Sequence, residues 1–125
     1  MGDTHLSGLV VAGGPAVVAA DFALSAGFGT TASVAVAAGS TDRKGRITIT
    51  SAGTGQAANP TCTLTPKETY DANAHPFTTR GAETGDDQLA VPIAARIPAG
   101  GATLVMTFAG TPVAADTITI DYVVL

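Results

Sequence analysis

His75 is the only histidine in the body of the chain, and it stands four residues after Asp71 in a polar run. Serine, histidine and aspartate are the materials of a hydrolytic triad, but no Gly-x-Ser-x-Gly elbow is present to present a nucleophile. A solvated loop histidine is the expected role. Gly53-Thr54-Gly55-Gln56 is glycine-rich, yet no Lys-Ser/Thr follows it and no helix is expected after it, so a hairpin connection is favoured over a phosphate cradle. Glu83, Asp86 and Asp87 could offer carboxylates to Ca²⁺, but their spacing does not fit an EF-hand loop. A solvated acidic loop is favoured. Asp116 and Asp121 are five apart on one run of alternating residues and so point to opposite faces, which is wrong for a paired-carboxylate hydrolase. Cys62 alternates with Leu64 on an apolar face and has no local base, so a buried, inert thiol is expected. Arg80-Gly81 is followed by Ala82 and is not an integrin-type tripeptide. The residues therefore predict no catalytic centre, no metal site, no cofactor and no small-molecule substrate, and the chain is not expected to be an enzyme.

The elements that would position any site are strands. Alternation of apolar and polar residues, the mark of a half-buried strand, is clearest in Asp116–Leu125, with Ile118, Ile120, Tyr122 and Val124 on one face. Ala102–Ala109 aligns Leu104, Met106 and Phe108. Gln88–Ile97 aligns Leu89, Val91, Ile93, Ala95 and Ile97, and Pro92 within it predicts an edge strand or a bulge. Arg46–Ser51, Ser33–Ala37 and Thr61–Thr65 are shorter strands of the same kind. Ser40-Thr41-Asp42-Arg43-Lys44-Gly45 reads as a hairpin loop in which Gly45 takes a positive φ. Lys67–Asp87 reads as a long loop with one short strand near Phe77–Arg80. Pro15–Ala26 is ambiguous: its alanines suit a helix, while Phe22 and Leu24 alternate, and a strand or extended arm is favoured. Six to eight short strands at this spacing predict an all-β, antiparallel β-sandwich, jelly-roll-like, with an extended N-terminal arm. The arm is placed at residues 1–26 and the sandwich domain at 27–125.

Length and composition agree with one small domain. The 125 residues include 24 Ala, 19 Thr and 15 Gly, only 13% are charged, and Trp is absent. A formal net charge of −4 with six scattered Lys and Arg excludes a basic nucleic-acid reader. One cysteine excludes an intrachain disulfide and a cysteine-based zinc module. The first charge is Asp3, so no basic n-region of a secretion signal is read, and Leu9–Leu24 is too interrupted by Gly13-Gly14-Pro15 and Asp21 to span a bilayer. No myristoylation signal is read either, because Leu6 stands where Ser or Thr is needed. Synthesis in a cytoplasm, without membrane or nucleic-acid partners, is expected.

The segment from Ala32 to Pro66 resembles a recurrent module of tailed-bacteriophage virion structural proteins. The likeness rests on Ser40-Thr41-Asp42, Gly45, Ile47-Thr48-Ile49-Thr50, Gly53-Thr54-Gly55 and Thr61-Cys62-Thr63-Leu64. The run from Thr107 to Val124 resembles the last hairpin of that module, and together they cover about two-thirds of the chain. The acidic insertion around Glu83–Asp87 and the short arm depart from the pattern. Such modules occur as head fibres, capsid decoration (cement) proteins and tail-fibre tips. The resemblance implies a non-enzymatic virion protein and does not choose its location. Beside it, a chain of this size with no chemical site needs only surfaces, so a decoration protein on the outer capsid surface is expected, assembled in the host cytoplasm with the major capsid protein as partner; the resemblance to such decoration proteins implies a homotrimer.

The residues add their own expectation to this. Leu6, Leu9, Val10, Val11, Val17 and Val18 are more apolar surface than a small sandwich needs, so the arm is expected to lie on the capsid lattice or on a neighbouring subunit. The alternative is a head-fibre or tail-fibre tip binding a host receptor or glycan through an exposed loop carrying Tyr70, His75, Phe77, Asp86 and Asp87. A tip normally follows a fibrous shaft, and a start at Met1 disfavours one.

Overall fold

The computed structural model describes residues 14–84 and 89–125. They form two four-stranded sheets packed face to face, every pairing antiparallel. The strands in chain order are β1 (Phe22–Leu24), β2 (Ser33–Val36), β3 (Lys44–Thr50), β4 (Thr61–Leu64), β5 (Pro76–Thr84), β6 (Leu89–Arg96), β7 (Leu104–Gly110) and β8 (Thr117–Val124). One sheet runs β1-β4-β7-β6 and the other β2-β3-β8-β5. This is the all-β antiparallel sandwich expected from the alternation, and no α-helix occurs among the described residues.

The alternation decides which side chains meet. In β8 the even-numbered residues Ile118, Ile120, Tyr122 and Val124 are buried and the odd-numbered ones half-buried on the outer face. Ile47 and Ile49 of β3 stand opposite Ile120 and Ile118 in register, so one apolar layer forms across two neighbouring strands. Cys62 and Leu64 of β4 with Leu104, Met106 and Phe108 of β7 supply the facing layer. Two edge-to-face aromatic contacts sit in the core: Phe22 against Tyr122, with centroids 6.1 Å apart, and Phe28 against Phe108 at 5.5 Å. Such pairs add about 0.5–1.5 kcal/mol beyond the area they bury.

Three local expectations change. The polar stretch after Lys67 contains a nine-residue strand, β5, where a short one was expected. Its own pattern is weak because a register shift between Arg80 and Glu83 breaks the period of two. The ladder to β8 specifies it instead. Gly45 lies inside β3, and the left-handed residue of the preceding loop is Gly39, at φ 85°. Residues 15–26 are neither a helix nor wholly apart from the sandwich. After one 3₁₀ turn, Ala19–Asp21, the chain enters β1, which pairs with β4, and Val17 is buried in the core. Ala16 bridges to Thr41. Within the segment expected as an arm, then, residues from Pro15 onward contact the sandwich. Residues 1–13 lie outside the described part.

Pro92 behaves as its chemistry requires. β6 is an edge strand, and its register to β7 shifts between Ala90 and Ile93, across the proline.

Candidate interaction surface

The loop between β2 and β3 is held by side chains from several elements. Its backbone is fixed by side chains: Thr41 Oγ1 accepts from the N–H groups of Arg43 and Lys44, and Ser40 Oγ accepts from the Arg46 N–H. The chain at Pro15–Val17 runs alongside, with the Asp42 N–H donating to the Pro15 carbonyl and the Val17 N–H to the Ser40 carbonyl. Two buried tyrosines close it from below. The Tyr122 hydroxyl donates to the Thr41 carbonyl, and the Tyr70 hydroxyl to the Asp42 carbonyl. Burial pushes both phenols well above the usual tyrosine range, with the Asp42 charge adding to the effect. They are neutral donors, held where a carbonyl needs one.

Asp42 itself is 1% exposed. Its Oδ2 accepts from the Glu68 N–H at 3.4 Å, while Oδ1 has no hydrogen-bond partner among the described residues. Gly14 sits so close that a Cβ there would lie 1.7 Å from Oδ1, so only glycine fits.

Above the loop lies a shallow open depression of about 400 Å³, lined by Ala37–Ser40, Lys44–Arg46 and Asp121–Val123. Beside it Arg46 and Asp121, opposite one another on β3 and β8, form a two-pronged ion pair at 2.7 and 3.1 Å. The guanidinium holds the Asp121 carboxyl below its usual range. The rest of this outer face is hydroxyl-rich: Thr48 and Thr119 are bonded side chain to side chain at 3.1 Å. At its far corner the pattern turns apolar. Phe77 of β5 pairs with Val123, and His75 exchanges both backbone bonds with Leu125, so these four side chains share the outer face. Phe77 is 56% and Leu125 43% exposed.

The sequence-derived candidates divide accordingly. His75 and Phe77 are exposed and adjacent on the outer face. Tyr70 is not on an exposed recognition loop: it is 3% exposed, because its hydroxyl is taken up by the Asp42 carbonyl and its ring packs in the core. Asp86 and Asp87 lie outside the described residues. Val17 is buried in this chain's own core and Val18, next to it, is 56% exposed, so the two do not act together as an outward apolar contact. Leu6, Leu9, Val10 and Val11 lie outside the described residues. Cys62 is fully buried and burial pushes its thiol up to about 12, which matches an inert role. Asp116 does not face Asp121. It is buried before β8 and accepts from the Val113 N–H at 2.8 Å. Gly53 and Gly55 both have positive φ in a connection tied to Thr30 and Thr31. It is not the hairpin connection expected, because it crosses from β3 in one sheet to β4 in the other. Sequence reasoning missed Asp42 and Gly14, whose pairing across 28 positions has no local pattern.

No family model, no curated protein and no solved structure matches the chain.

Proposed function

We propose that this chain is a non-enzymatic virion structural protein, a capsid decoration (cement) protein that binds the outer surface of a bacteriophage head and stabilises the major capsid protein lattice. One observation carries the reading. The residues of the resemblance fall on β3, the connections before and after it, β4, β7 and β8, and β3 with β8 and β4 with β7 are the central strands of the two sheets. The matching residues thus belong to one packed unit rather than to scattered low-charge strands. The low charge of the chain adds support, since 13% charged residues suit a protein covered by neighbours better than one permanently in water.

The test is addition of the purified protein to mature, undecorated capsids. Binding with raised resistance to heat or chaotrope is expected. Binding to host cells or glycans in place of capsids would replace this reading with the second one, a head-fibre or tail-fibre tip. That reading is favoured by the exposed, adjacent His75 and Phe77, which offer a stacking face. Phe77→Ala separates the two. It abolishes glycan or receptor binding if the protein is a tip and leaves capsid attachment unchanged if the lattice is gripped elsewhere.

A further inference from the structure

A two-sheet sandwich has four edges, and each edge strand shows unpaired backbone N–H and C=O groups to any chain that approaches. Three of the four are guarded here. β5 begins with Pro76, carries Arg80 on the inward side opposite Ile120, and shifts register after it. β6 carries Pro92, a register shift and Arg96. β1 has only three residues and is flanked by the Asp21–Lys67 ion pair at 2.7 Å. β2, four residues long and close to the Ala19–Asp21 turn, has no proline, no charge and no register shift. Its sequence is Ser-Val-Ala-Val, and no charged residue occurs anywhere from Phe22 to Thr41.

The backbone phase of β2 is fixed. The Ala37 N–H donates to the Arg46 carbonyl at 2.9 Å, and the β2–β3 register makes Ala35–Thr48 and Ser33–Thr50 the next bonded pairs. Val34 and Val36 therefore direct their N–H and C=O groups away from the sheet, with no partner among the described residues. Those two sets of groups are complementary to themselves. Turn a second copy about a two-fold axis at Ala35, and Val34 of one chain exchanges both hydrogen bonds with Val36 of the other, and the reverse. Ala35 then faces Ala35 of the second copy as a non-bonded pair, with Cα atoms about 4.5 Å apart, a distance that only small side chains fit easily. The exposed residues flanking the axis, Ser33 and Ala37, are small as well.

We infer that β2 is a dimerisation edge, on which a second copy of this chain pairs antiparallel about Ala35. The result is one continuous eight-stranded sheet, β5-β8-β3-β2 followed by the same four strands reversed. A two-fold contact is isologous and closes on itself, so it ends with two copies instead of propagating. The contact is independent of the function proposed above, and it differs from the trimer that the resemblance implies.

The experiment measures mass in solution by light scattering and sedimentation on the full chain, on Ala35→Lys and on Ala35→Cys. The wild type is expected to be a dimer. Ala35→Lys, which sets two ammonium groups against each other at an exposed position, is expected to be monomeric with an unchanged circular dichroism spectrum. Ala35→Cys is expected to form a covalent dimer under mild oxidation, because facing non-bonded Cα atoms lie within disulfide reach. The wild type does not cross-link, since Cys62 is buried. A wild-type monomer, a trimer, or a dimer in which Ala35→Cys does not cross-link overturns the inference. If Ala35→Lys does not fold, the cross-link decides alone.

Discussion

Tyr122 does two jobs with one side chain, filling the core beside Phe22 and holding the Thr41 carbonyl with its hydroxyl. Tyr122→Phe keeps the ring and strands a partly buried carbonyl, at a cost of about 1–3 kcal/mol in urea unfolding. Tyr70→Phe is expected to cost a similar amount through the Asp42 carbonyl. The same buried groups set the alkaline limit. Cys62, Tyr70 and Tyr122 all have folded pKa values raised by burial, that of Cys62 to about 12. Above pH 9 the unfolded chain loses these protons while the folded one keeps them, so stability is full below the unfolded pKa values and falls as pH rises. Each group steepens the fall by about 1.4 kcal/mol per pH unit in its window. Urea midpoints between pH 7 and 11 should show the decline, and Tyr122→Phe should make it shallower. Asp21 and Asp121 act in the other direction. Their carboxyls are lowered chiefly by hydrogen bonds to Lys67 and Arg46, so their contribution is present above the unfolded pKa and lost as pH falls through the folded one. Cys62 was legible as a buried residue from its alternation with Leu64. Tyr70 was not, because what buries it is a carbonyl 28 positions away.

At the level of elements, legibility followed the source of specification. β8 and β7 carry their burial pattern in their own residues, and Pro92 announced both the edge and the bulge of β6. β5 has little pattern of its own and takes its length from β8. β1 is brief, and its place depends on β4. Native-state hydrogen exchange should rank the strands accordingly: amides shared by β3 and β8, central in their sheet, exchange slowest, and those of β1 fastest. Gly45 shows an element bending to a side chain. A Cβ there would lie 2.6 Å from Ser40 Cβ and 2.7 Å from the Tyr122 hydroxyl oxygen. Gly45→Ala is expected to destabilise by about 1–3 kcal/mol by overpacking. Combined with Tyr122→Phe its effect should be less than additive, since the clash loses its oxygen. Strict additivity in thermal unfolding would contradict that account.

For the whole molecule, the candidate surfaces among the described residues lie on one sheet and its rim: the depression at Lys44–Arg46, the corner of His75, Phe77 and Leu125, and the edge of β2. Removing residues 1–13 is expected to abolish capsid attachment while the domain still unfolds cooperatively; unchanged attachment would show that residues 1–13 are not required. Cooperative unfolding after that deletion is expected because Val17, Phe22 and the core formed by the described residues lie beyond the cut. Pro15 lies along the loop between β2 and β3, its carbonyl receiving the Asp42 N–H, and β8 ends beside it, where the Val124 N–H bonds the Arg43 carbonyl. Pro15 and Val124 thus share one pole of the sandwich. A pull that separates them meets these bonds in succession, peeling β8 from β3 like a zipper, rather than loading the seven-residue ladder at once. A tension applied between Pro15 and Val124 would therefore open the described sandwich at low force, whereas a load that presses on its faces works against the core.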